Sequence, residues 1–211
     1  MNFGRFGILG DSYSTFDGCV PDGYAVYYKG EKQEESGVYT VEETWWGGLV
    51  ATGAGTVGCN CSFSGSTICN TGYDARYCPD TSFIGRMKTY FSGKETYDTI
   101  FVFGGTNDTW ANSPLGEDVV KPWADYTDEE LRSVLPAIRH MVGYLTAHNP
   151  GTHLVLLINT ELRPEIADAL LRAAKDTGAA CVTFTHIDKI SGHPTAVGMK
   201  DIRDQILQTL H

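Results

Sequence analysis

Thr99-Ile100-Phe101-Val102-Phe103 is a continuous apolar run, and His153-Leu154-Val155-Leu156-Leu157-Ile158 is a second one. A strand with one wet face alternates apolar and polar residues; one covered on both faces does not. Two such runs commit the chain to a sheet with a layer of structure on either side. Helical patterns surround them at residues 42–52, at 80–91 with Asp80 as N-cap, and at 164–177, stopped by Gly178. Another helix is expected from Thr127-Asp128-Glu129-Glu130, in capping-box style, to about His148, with a kink or a later start at Pro136. The last should run from about Pro194, in its first turn, to Leu210. Further strands fall at residues 6–9, 57–61 and 180–184. Strands and helices alternate throughout the 211 residues, which predicts one α/β domain: three layers around a mainly parallel sheet of about five strands.

Several function classes recede on composition and order. A formal net charge of −10 disfavours nucleic acid and anionic membranes as partners, and no stretch is apolar enough to insert into a bilayer. Gly53-Ala54-Gly55-Thr56-Val57-Gly58 has the G-x-G-x-x-G spacing of a dinucleotide site, but a helix precedes it and a strand follows, the reverse of what that site needs. It reads as a helix stop and turn, and no cofactor is expected. The cysteines Cys19, Cys59, Cys61, Cys69, Cys78 and Cys181 lack the paired spacing of a zinc site, so no metal is expected either. A Cys69–Cys78 disulfide is possible if the protein is exported. Met1-Asn2-Phe3 leads straight into the first strand, so the compartment stays open between the cytoplasm and export after removal of a leader.

What remains lies just beyond strand ends, where parallel sheets gather their chemistry. Gly10-Asp11-Ser12-Tyr13-Ser14 follows the first strand, Gly65 the second, Gly105-Thr106-Asn107-Asp108 the third, and His193-Pro194 the fifth. Ser12 could act as nucleophile with His193 as its base. The backbone N–H groups of Ser12 and Gly65 and the Asn107 amide could hold an oxyanion. Singly each has a plainer reading: Asn107 and Gly65 as turn residues, His193 as a helix cap, or His186, Asp188 and His193 as metal ligands. Two long connections, 17–43 and 109–126, and the segment after Gly65 should form the rim. That rim is rich in Tyr13, Tyr24, Tyr27, Tyr28, Tyr73, Trp110 and Trp123, of which Tyr13 and Trp110 are the candidate substrate contacts.

These four blocks together resemble the SGNH, or GDSL-type, hydrolase family across nearly the whole chain. The resemblance implies a flavodoxin-like α/β/α sandwich, hydrolysis of esters or thioesters, and no metal or organic cofactor. It carries Ser12 over as nucleophile, His193 as base, and Ser12, Gly65 and Asn107 as oxyanion donors. One position departs: the family's aspartate lies three residues before the histidine, and here that residue is Ile190. Either Gly192 lets the loop bend Asp188 onto His193, or a backbone carbonyl orients the ring in a Ser-His dyad. The expected substrate is a small acyl ester, foremost an acetylated carbohydrate. A lysophospholipase or thioesterase, a non-catalytic sugar-binding module, and a nucleotide binder on the same fold are the alternatives.

Overall fold

A computed structural model of the chain describes residues 2–210. Five parallel strands, β1 (Arg5–Gly10), β2 (Thr56–Asn60), β3 (Thr99–Phe103), β4 (His153–Ile158) and β5 (Ala180–Thr183), form a sheet in the order β2-β1-β3-β4-β5. Between them run helices α1 (Glu31–Ser36), α2 (Trp45–Ala51), α3 (Phe83–Tyr90), α4 (Thr106–Trp110), α5 (Val134–His148) and α6 (Pro164–Thr177), and α7 (Ala196–Thr209) follows the last strand. A small antiparallel hairpin, β6 (Lys189–Ile190) and β7 (His193–Pro194), precedes α7.

Both apolar runs are central strands. All five residues of β3 are buried, with Ile100 and Val102 in the core under α3, α5 and α6, and Phe101 and Phe103 in the opposite core under α2 and α7. In β4, Leu154, Leu156 and Ile158 join the first core and Val155 and Leu157 the second. Each such side chain, removed from water, contributes about 1.5–3 kcal/mol before chain entropy is charged against it. The strand order reverses between β1 and β3. The chain therefore leaves β1 toward one edge and β3 toward the other, opening a crevice at their carboxyl ends. Register sharpens this, because Gly10 pairs with Phe103 and the two strands end level.

Several boundaries differ from the expectation. Helix α3 starts at Phe83, capped by Ser82 Oγ, which accepts from Gly85 N at 3.1 Å; Asp80 lies outside it. The Thr127–Glu130 box does form, with Glu130 Oε2 accepting from Thr127 N at 2.8 Å, but it closes only a short 3-10 turn. The long helix takes the later of the two expected starts, at Val134, so Pro136 sits in its first turn, where a missing N–H costs nothing. Helix α7 is capped by Thr195, and Pro194 belongs to β7 instead. The stretch after β3 coils into α4, and the 17–43 connection contains α1. Helix α2 does precede Gly53 and β2 follow it, the order that argued against a dinucleotide site. All six cysteines are free thiols, Cys69 and Cys78 included.

Candidate active site

The turn after β1 is locked from several sides. A Cβ on Gly10 would come within 2.5 Å of Ser62 Oγ and 2.7 Å of Ser14 Oγ, so only glycine fits there. Asp11 caps the following 3-10 turn, its Oδ1 accepting from Tyr13 N at 3.0 Å. Ser14 O accepts from Trp46 Nε1 at 3.0 Å and from Asn60 Nδ2 at 2.9 Å, while Trp45 Nε1 donates to Ser14 Oγ at 3.1 Å. Asp11 is fully buried and its Oδ2 has no partner among the described residues; burial raises its pKa to about 7.

Ser12 Oγ donates to His193 Nε2 across 3.0 Å. His193 Nδ1 lies 3.2 Å from the Ser191 carbonyl. A carbonyl only accepts, so Nδ1 carries the proton and the Nε2 lone pair faces the serine. The ring is clamped: Tyr27 stacks on it with centroids 3.5 Å apart and planes 7° from parallel, and Trp110 meets it edge-on at 5.5 Å. Burial holds its pKa below the ordinary 6.5, aided by Lys32 and Lys189 and opposed by the Ser191 carbonyl and Glu35. The imidazole is thus neutral at pH 7 and free to accept a proton.

Asp188 does not reach His193. The hairpin has a two-residue loop, Ser191 and Gly192, both at positive φ (49° and 78°), the type I′ geometry that matches strand twist. That loop sets the register: Ile190 pairs with His193 and Lys189 with Pro194, and the next step brings Asp188 opposite Thr195. The Asp188 carbonyl accepts from Thr195 N at 3.1 Å, and its carboxylate takes the Thr195 hydroxyl. The contact to the imidazole therefore comes from a backbone carbonyl. His186 pairs with Asp201 at 3.5 Å instead, and among the described residues no three His, Cys, Asp or Glu side chains converge as a metal set.

Asn107, in α4, is buried beside the crevice. Its Nδ2 donates to Ser66 O at 3.0 Å and its Oδ1 accepts from Tyr73 OH at 2.8 Å. One Nδ2 hydrogen remains for a ligand. Asp108, next in the helix, accepts from Ile68 N at 2.8 Å and Cys69 N at 3.3 Å, tying α4 to the loop that carries Gly65. Burial raises the Asp108 pKa to about 6. Gly65 faces open space at φ 83°. Arg86, which the sequence reading passed over, is buried under this loop, donating from Nη2 to Ser66 Oγ at 2.7 Å and from Nε to Thr81 O at 2.9 Å. A charged residue bordering an apolar helix face was the one sign of it.

The rim aromatics divide. Trp110 and Tyr73 are 40 % and 43 % exposed and stay available to a ligand. Tyr13, expected at the substrate, is instead wholly buried, with its hydroxyl donating to Gly192 O at 2.5 Å. Tyr28 likewise donates to Pro194 O at 2.8 Å. Both side chains are buried in the core and moor the histidine's hairpin. Trp123 packs on α5, 5.1 Å from Tyr144. Beside Gly65 a cavity of about 490 Å³ opens, lined by Phe63, Tyr73, Arg76 and Tyr77.

A hydroxyl hydrogen-bonded to a neutral imidazole, with an amide donor nearby at a topological switch point, defines a serine hydrolase arrangement on a three-layer α/β fold. The chain belongs to the GDSL-like lipase/acylhydrolase family, whose profile matches residues 4–210. It is similar over its full length to a protein named as a GDSL-like lipase from Bacteroides ovatus, at 35 % identity and a TM-score of 0.90, covering 99 % of that chain. One so named from Bacteroides uniformis is also 35 % identical with a TM-score of 0.90, over 98 % of this chain and 95 % of that one. An acetyl xylan esterase from the rumen bacterium Butyrivibrio proteoclasticus shares the fold, with a TM-score of 0.61 and 16 % identity, over 100 % of this chain and 64 % of that one. Comparison with curated proteins finds no match.

Proposed function

We propose that this acylhydrolase removes small acyl groups, acetyl foremost, from a carbohydrate through a covalent acyl-enzyme. The 3.0 Å contact between Ser12 Oγ and His193 Nε2 carries the reading. Ser12 Oγ attacks the ester carbonyl while its proton passes to Nε2. The oxyanion is held by the backbone N–H groups of Ser12 and Gly65 and by Asn107 Nδ2. Collapse expels the sugar oxygen, which takes the proton back from Nε2. Water then repeats the sequence, Nε2 taking its proton, and the acid leaves as Ser12 is regenerated. Each step uses only these groups, the ester and water.

Three observations support the substrate class. Trp110 and Tyr73 offer half-exposed aromatic faces, and such faces suit sugar rings at a wet rim. The cavity beside Gly65 mixes tyrosine rings with Arg76 and Asp80 and offers no broad aliphatic wall for a long acyl chain. The net charge of −10 disfavours polyanionic substrates. Among proteins of the same fold at low identity is the acetyl xylan esterase above, and another is a family two carbohydrate esterase from Clostridium thermocellum with a TM-score of 0.63.

The test is hydrolysis of p-nitrophenyl esters from acetyl to decanoyl by wild type and Ser12→Ala. Turnover that is highest for acetyl and lost in the variant supports the proposal. A rate that climbs steadily to decanoyl points to a lipid or thioester substrate. The absence of a carboxylate at position 190 keeps a sugar-binding module as the second reading. It would bind glycans yet form no adduct with a serine-directed phosphonate.

A further inference from the structure

The Ser191 carbonyl orients His193, but a carbonyl is a dipole, and the imidazolium formed during attack calls for a charge. Its surroundings hold few. Lys189, on the same hairpin, pairs with Glu161 at 3.0 Å, and Asp188 is engaged by Thr195. Tyr27 is stacked on the ring and Tyr13 lies beneath it, both with pKa values raised by burial and so neutral. From α1 come Lys32 and Glu35, which pair with each other at 2.6 Å. Glu35 Oε1 also accepts from Ser191 Oγ at 2.5 Å. The residue whose carbonyl holds Nδ1 is thus itself held by a carboxylate from a helix 156 residues earlier in the chain.

We propose that Glu35, acting through Ser191, is the positioning residue that stands in for the missing aspartate of His193. It does two things. Its hydrogen bond fixes Ser191 in a left-handed conformation (φ 49°) that a serine rarely adopts unaided, and so aims the carbonyl at Nδ1. Its charge offsets Lys32, which would otherwise oppose the imidazolium together with Lys189. The aspartate's two tasks, orientation and charge, are divided between a backbone oxygen and a carboxylate on a different element. The proposal rests on His193 being the catalytic base, and its test is chosen to be read without catalysis.

Glu35→Gln keeps an acceptor for Ser191 and removes the charge; Glu35→Asp keeps the charge on a shorter arm. The His193 imidazole is titrated by NMR in wild type and both variants. Its pKa should fall by about half a unit to one unit in Glu35→Gln, recover most of that in Glu35→Asp, and shift less in high salt. With p-nitrophenyl acetate, kcat should drop about threefold to tenfold in Glu35→Gln, with KM unchanged and the acidic limb of kcat/KM moved down. An imidazole that titrates alike in wild type and Glu35→Gln overturns the proposal. A titration shift in a protein that hydrolyses no ester would uphold the coupling and overturn the esterase reading instead.

Discussion

The turn that presents Ser12 and the hairpin that presents His193 meet where Ser12 Oγ faces His193 Nε2 at 3.0 Å and Tyr13 OH reaches Gly192 O at 2.5 Å, but they are built in different ways. Ser12 sits on the end of a central strand, in a turn that Asp11 caps and that two tryptophans and Asn60 pin from below. His193 stands on a ladder of two residue pairs, closed by two positive-φ residues and moored from outside by Tyr13, Tyr28 and Glu35. Ser12 is placed first by its own strand and cap, and then by partners 31 to 46 residues on. His193 is placed almost wholly by partners 156 to 179 residues away, so its orientation is the more easily disturbed.

The largest effects should come from removing either partner. Ser12→Ala or His193→Ala is expected to lower kcat on p-nitrophenyl acetate by at least about 10³-fold, with the double variant no worse than either single one. Additive losses would show that the two residues do not act as a unit. Asn107→Ala should cost about 10²–10³ in kcat with little change in KM. Tyr73→Phe, which frees the Asn107 amide to rotate, is expected to cost about threefold to tenfold.

Asp188→Ala sharpens the contrast. Because its carboxylate holds Thr195 at the start of α7, it should leave kcat within about twofold while lowering stability by about 1 kcal/mol in a urea melt. A collapse of kcat would mean that Asp188 reaches His193 during turnover.

The two regions should also answer to pH differently. His193 has its pKa held below 6.5, so the acidic limb of kcat/KM should lie below that value. Asp11 titrates near 7 in the folded chain, above the 3.8 of an exposed aspartate. A folded-state pKa raised in this way gives stability that is present below about 4 and is lost as pH rises through about 7. The melting temperature should therefore fall between about pH 4 and 7 and level off above, and Asp11→Asn should flatten the slope between about 6 and 7, because Asp108, near 6, contributes only below that value.

Much of this architecture is local and could be read from residues alone. Apolar runs too long to alternate marked β3 and β4 as central strands, and Gly178 and Pro164 bounded α6 at the observed residues. Where a local signal had a competitor, the reading slipped. Thr127 and Glu130 do cap, but they close one turn only, and α5 takes the later start that Pro136 suggests, holding the proline in its first turn. Tyr13 groups with the rim aromatics in the sequence; the 3-10 turn directs it inward instead.

By itself, then, the sequence determined the layers of the fold, the strand ends after which Ser12, Gly65 and Asn107 follow, and the family the chain belongs to, since periodicity and turn chemistry act within a few residues. His193, expected just past the fifth strand, stands instead within β7 of a separate hairpin. Only the tertiary structure decided what orients His193. A two-residue type I′ loop sets the register that carries Asp188 to Thr195, and chain folding over 156 residues brings Glu35 to Ser191. Side-chain partners across such separations are fixed by packing and loop geometry, and no local pattern encodes them.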